Sequence, residues 1–170
     1  MDASINLGLI APEISLLVTA FVILLAVPLT RTQNIAAYLS LAGIVLSFYF
    51  VIDCWNMQQT GYFDMVVCDN FSIFAKAIFL IACGTGILLA QDYLRQRNLN
   101  RPEFYALILA STVGMMVMAS SHNLMVIFLG LEIMSLPLYV MAGLNRRDLK
   151  SNESAAKYFF MGAFASGFFL

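Results

Sequence analysis

Six apolar runs fill most of this chain, at 9–29, 35–55, 71–89, 104–119, 123–144 and 155–170. A helix crosses a hydrocarbon core of roughly 30 Å in about 20 residues at ~1.5 Å per residue, and the runs have about that length. Charges fall mainly between them. Hydrophobic residues make up 61% of the 170 and charged residues 11%, whereas a soluble domain needs about a quarter of its residues charged to build a wet surface. Membrane β-barrels read as short alternating segments, and these runs are continuous. The reading is therefore an all-α integral membrane protein in a single transmembrane domain, with a lipid bilayer as its first partner.

Two ends of the pattern need separate treatment. A cleavable signal peptide carries positive charge ahead of its apolar stretch, but here Asp2 and Glu13 occupy that region, so the first run is expected to remain as a span. The sixth run, 155–170, is short for a full crossing and has no anchoring charge after it. It is read as an incomplete helix, and the chain as a fragment of a longer protein.

Loop charges give an orientation. Arg31 lies in the first loop, Arg95, Arg97 and Arg101 in the third, and Arg146, Arg147 and Lys150 in the fifth. The second loop has only Asp53, Asp64 and Asp69. Positive loops stay in the cytoplasm, which predicts an N-terminus on the outer side, in a bacterial inner membrane. Cys54 and Cys68 then share the outer side, where either a disulfide or simple packing as small apolar residues is consistent with the sequence. Cys83 is read as packing.

Soluble-enzyme chemistry finds no footing. The three cysteines are too far apart in sequence for a metal pair, and His122, the one histidine, is read as a turn residue. "GTGILLA" at 84–90 lacks the third glycine and the preceding strand of a dinucleotide fingerprint. Gly84 and Gly86 are read instead as sites of close helix packing, as are Gly162 with Ser166 and Ala163 with Gly167. No bound cofactor, metal or nucleic acid is expected.

Glu132 is the residue that most demands explanation, because it sits near the middle of the fifth run. An ionisable group there costs at least ~2.5–3.5 kcal/mol, so it calls for a partner, a hydrated cavity or a proton. A carboxyl held between desolvation and a nearby lysine can take up and release protons near neutral pH. Ser135 and Tyr139 share its helix face, and Pro137 frees the carbonyl of Ile133; together they read as the wall of a hydrated path. The plainer alternative is a protonated acid beside an ordinary proline kink. Lys157, four residues after Glu153, is read either as part of a proton path or as an interfacial anchor. Lys76 is expected to be an anchor. Glu13 and Glu103 sit at helix entrances that suit the helix dipole.

These residues carry a resemblance. "LGLEIMSLPLYVMAGLNRRDLKSNESAAKYFFMGAFASGFFL" resembles the fifth and sixth helices of the subunit N family of bacterial NADH–quinone oxidoreductase, respiratory complex I. "LIAPEISLL" and "RPEFYALILASTVGMMVMASSHNLMVIFLGLEI" resemble the same family. The family belongs to the antiporter-like group, shared with multisubunit cation/proton antiporters. The resemblance implies the N-terminal part of a fold of about fourteen helices containing two inverted repeats. It further implies proton translocation coupled to electron transfer from NADH to quinone, the NAD, FMN, iron–sulfur and quinone sites being in other subunits. Glu132 matches the family's fifth-helix glutamate, whose expected lysine partner is on a seventh helix not among these 170 residues. Lys157 matches a lysine in the family's "KYF" segment. The rival readings are a cation/proton antiporter subunit and a truncated, non-catalytic membrane scaffold.

Overall fold

The computed structural model describes residues 7–29, 35–55, 58–62, 65–97 and 99–169. Asp2, Arg31, Asp64 and Leu170, all used above, lie outside the described residues. Six helices follow one another: α1 (Ala11–Ala26), α2 (Ile35–Asp53), α3 (Asn70–Gln96), α4 (Pro102–Ala119), α5 (Leu124–Ala142) and α6 (Leu149–Phe169). A 3-10 turn, Leu7–Ile10, leads into α1. Five helices are long and apolar enough to cross a membrane, among them Leu7–Ala26 and Leu124–Ala142. The sixth, α6, begins six residues ahead of its apolar run and takes in Lys150, Glu153 and Lys157, so its composition falls short of the other five.

Local chemistry explains the helix starts. Pro12 and Pro102 occupy first-turn positions, where their missing N–H costs nothing. Asp69 caps α3: its Oδ1 accepts the Ser72 N–H at 2.7 Å, and Ser72 Oγ accepts the Asp69 N–H at 3.1 Å, a reciprocal box. Asn123 Oδ1 caps α5 by accepting the Met125 N–H at 2.9 Å. Helix α3 outruns its expected end because a polar tail, Gln91 to Gln96, continues the same coil beyond the apolar stretch. Arg97 then covers the Tyr93 ring at 5.7 Å.

Helices α1 to α4 enclose one core, with α5 laid against α4 and α6 chiefly against α5. Leu16 and Ile23 of α1, Leu80 and Ile87 of α3, and Leu109 and Met116 of α4 are fully buried there. The outward faces are also apolar, with Phe21, Leu89 and Phe168 exposed. The only charged residues buried among the described ones are Glu13 and Lys76. Apolar groups outside and charges inside are what a lipid solvent selects.

A two-stranded hairpin departs from the sequence reading. In the long acidic loop, β1 (Gln59–Gly61) pairs antiparallel with β2 (Val66–Cys68), Thr60 opposite Val67. Tyr62 makes the turn with φ of 56°. The hairpin is sewn to the α4–α5 turn: Val67 N–H donates to the Ser120 carbonyl at 2.7 Å, and Ser121 Oγ donates to the Met65 carbonyl at 2.7 Å. This short pair gains its stability from docking on the bundle, since an isolated hairpin is marginal. We call this end of the molecule the hairpin end.

The close helix crossing is not at Gly84 or Gly86. A Cβ at Gly84 would meet nothing within 4 Å, and at Gly86 only Ile108 Cδ1 at 3.7 Å. It is at Gly114 of α4 and Gly130 of α5, where a Cβ on Gly114 would lie 2.6 Å from the Gly130 carbonyl oxygen and against the Met134 amide. Of the glycines in α6, Gly162 receives the Tyr139 hydroxyl end of α5, whereas Gly167 faces open space. We predict that Gly114→Ala lowers stability by about 1–3 kcal/mol through overpacking against backbone. Gly84→Ala should leave it unchanged or raise it by up to ~1 kcal/mol. Thermal melts of the two variants in the same detergent, read by size-exclusion recovery, check the contrast.

Candidate functional site

Glu132 lies near the midpoint of the 19-residue α5. Gly130 turns toward α4, so Glu132, roughly 200° further round the helix, faces elsewhere. Ring contacts show where. Phe128 stacks on Phe169 at 6.0 Å, and Tyr139 meets Tyr158 at 4.9 Å and Phe159 at 5.8 Å, both edge-on. Phe128, Glu132, Ser135 and Tyr139 therefore form the stripe that α5 turns to α6. Glu132 is half-buried in this seam. Among the described residues, its carboxylate has neither an ion pair nor a hydrogen bond.

Its neighbours are occupied. Ser135 Oγ donates to the Leu131 carbonyl at 2.7 Å, and Tyr139 is packed among the α6 aromatics. Pro137 is buried and α5 runs through it without a break. Lys157 is not brought to Glu132: it lies about two helical turns along the seam, beside Tyr158. It forms an exposed pair with Glu153 at 2.5 Å, the side chains 70% and 62% accessible. Such i,i+4 pairs contribute about 0.3–0.5 kcal/mol.

The second charged feature was missed in the sequence. Lys76 Nζ lies 2.7 Å from Glu13 Oε1, with only 3% of the lysine and 6% of the glutamate side chain accessible. Lys76 is thus no interfacial anchor; α3 turns it inward on the same stripe as Ile73, Leu80 and Cys83. Glu13 does lie in the first turn of α1, as the helix dipole favours, but Lys76 is its partner. Each residue alone looks like an end-of-helix charge. Their opposite signs at equal depth in two spans were the available signal. His122 is exposed in the α4–α5 turn, and Glu103 is in the first turn of α4.

Cys54 and Cys68 meet above this pair as free, buried thiols. Cys54 Sγ lies 3.8 Å from the Gly8 carbonyl. Burial, then the neighbouring Cys54, pushes the Cys68 thiol up to about 11, against 9.0 unperturbed, with Lys76 pulling the other way. Among the described residues no three His, Cys, Asp or Glu side chains gather as a metal site would require.

Comparison with known proteins places this geometry. Residues 121–170 match the family model described as NADH:quinone oxidoreductase/Mrp antiporter, TM. The chain is 46% identical over 170 residues to NADH-quinone oxidoreductase subunit N of Trichlorobacter lovleyi, covering 98% of this chain and 35% of that protein. It is 34% identical to NAD(P)H-quinone oxidoreductase subunit 2 of Synechocystis, covering 99% of this chain and 33% of the relative. Among solved structures, it is similar to a chain of respiratory complex I from Thermus thermophilus with bound Aureothin, at a TM-score of 0.74 and 26% identity over 92% of this chain and 34% of that one. The chain therefore spans about a third of the length of the relatives it matches.

The thiols offer a direct check on the hairpin end. A proton held up to about 11 leaves Cys68 with about a hundredfold less thiolate at pH 8 than a thiol of 9.0. Its stabilising contribution is complete below pH 9 and is lost as the pH climbs toward 11. N-ethylmaleimide at pH 8, followed by peptide mass spectrometry, should label Cys68 about a hundredfold faster in detergent-unfolded protein than in the fold. Equal rates would contradict the docked hairpin.

Proposed function

Because this chain belongs to the antiporter-like family of membrane subunits that includes subunit N of NADH-quinone oxidoreductase, we propose that it serves proton translocation in the membrane arm of that complex. The supporting observation is Glu132, an acid at mid-span with no partner among the described residues. A carboxylate in that position invites a cation or water from a neighbouring element. When the cation is near, the anion is stable; when it withdraws, the carboxylate takes a proton. Alternation between these two states moves a proton one step through the bilayer.

The chain's own part is confined to such steps. Electron transfer from NADH to quinone, with its NAD, FMN, iron–sulfur and quinone sites, is assigned to other subunits of the complex, and the neighbours in the bilayer are its other membrane subunits. Lys157 is assigned a secondary role: its exposed ammonium, paired with Glu153, stands at the entrance of the α5–α6 seam. On this reading the protein lies in the bacterial inner membrane with its N-terminus outside the cytoplasm. Arg95, Arg97 and Arg101 around the α3–α4 junction, and Arg146, Arg147 and Lys150 around the α5–α6 junction, support that orientation.

Glu132→Gln keeps the shape of the side chain and removes the exchangeable charge. In membrane vesicles carrying the assembled complex, the rate of NADH-driven proton uptake should fall by about 10²-fold or more, the scale of a lost proton-transfer group. Lys157→Met should have a smaller effect. A Glu132→Gln complex that assembles and pumps at the wild-type rate would identify Glu132 as a packed, protonated acid.

A further inference from the structure

We propose that Glu13 and Lys76 form a second proton-exchange site, at the hairpin end of the α1–α4 bundle and separate from Glu132. The inference rests on the proton-translocation reading above and adds a site to it. Two observations and one general argument support it. The pair is nearly sealed from the surroundings, at 3% and 6% side-chain accessibility, with its ionised groups 2.7 Å apart. Its geometry is incomplete, because Glu13 Oε2 is buried and has no hydrogen-bond partner. A buried ion pair is also a weak source of stability in general: apolar residues of similar volume in its place are often neutral or stabilising.

The surroundings supply groups for proton exchange. On the inner side, Leu16, Leu80 and Leu109 fill the core, with Cys83 of α3 and Thr112 of α4 buried there too. Beside the pair are groups that carry or accept protons. Ser15 Oγ and Ser47 Oγ, from α1 and α2, converge on the Pro12 carbonyl at 2.7 and 3.0 Å. Cys68 of β2 lies close enough to feel both charges, and Cys54 is beside it. Asp53 and Asp69 lie at the same end, exposed and half-buried respectively. Both buried charges are thus within reach of the hairpin end.

The step balances without any redox partner. A proton adds to Glu13 Oε2, forming an O–H bond and neutralising the carboxylate. The Lys76 ammonium, now without its counter-charge, loses an N–H proton to water at the hairpin end. The carboxyl then turns and passes its proton to the neutral amine, restoring the ion pair. One proton enters and one leaves.

The test uses the assembled complex in membrane vesicles, with assembly read on native gels and proton uptake by a pH-sensitive dye. Glu13→Leu with Lys76→Met replaces the pair by apolar side chains. This double variant should assemble, and its rate of NADH-driven proton uptake should fall by about tenfold or more. Wild-type uptake in that variant would reduce the pair to a packing contact and overturn the proposal. Glu13→Asp provides a second readout: the pH profile of uptake should shift, and an unchanged profile at normal assembly would also overturn it. Glu132→Gln runs in parallel. If it stops pumping while the Glu13 and Lys76 variants pump normally, only this site fails; if Glu132→Gln pumps normally too, the proton-translocation reading fails.

Discussion

Hydrocarbon supplies no hydrogen-bond partner and no screening, so every charge in a span must be satisfied by the protein itself. That constraint orders the rest of this structure. The outward faces of the helices carry Phe21, Leu89 and Phe168, while Glu13 and Lys76 turn inward and meet at 2.7 Å. Their meeting also sets how α1 and α3 face each other, because a rotation of either helix would expose a bare charge to lipid. The hairpin then covers the pair, fastened through Ser120 and Ser121 to the α4–α5 turn.

A second kind of contact sets where Glu132 points. Side chains cannot separate α4 and α5 at Gly114 and Gly130, where the backbones approach until a single Cβ would collide. Once that face of α5 is committed to α4, the Phe128–Glu132–Ser135–Tyr139 stripe must face the other way. Aromatic contacts at both ends of the stripe hold α6 against it, and the carboxylate is left in the seam between them. Small residues and aromatic rings thus aim the acid, while the acid itself makes no bond among the described residues.

The helical class and the multi-pass character were legible because lipid-facing helices write long apolar runs directly into sequence. Pairing was less legible. Lys76 read as an anchor because a lone lysine near a span end usually snorkels, and only the fold shows that the stripe of Ile73, Leu80 and Cys83 carries it inward. The glycines misled for a related reason: Gly84 and Gly86 have the same local look as Gly114 and Gly130, but which face meets a neighbour is decided by the whole bundle. The hairpin escaped notice because strands of three residues leave no measurable alternation. Glu132 could be singled out from sequence alone, since a mid-span acid is costly wherever it points.

The central claim is that Glu132 works as a proton-carrying acid with a partner supplied from beyond these 170 residues. The most direct measurement is the distance from its carboxylate to the nearest basic nitrogen or ordered water, in a high-resolution density map of the intact complex. The account predicts a lysine or histidine nitrogen within about 4 Å, or a water chain leading to one. A carboxyl enclosed by apolar side chains, with no basic group and no water in reach, would contradict it.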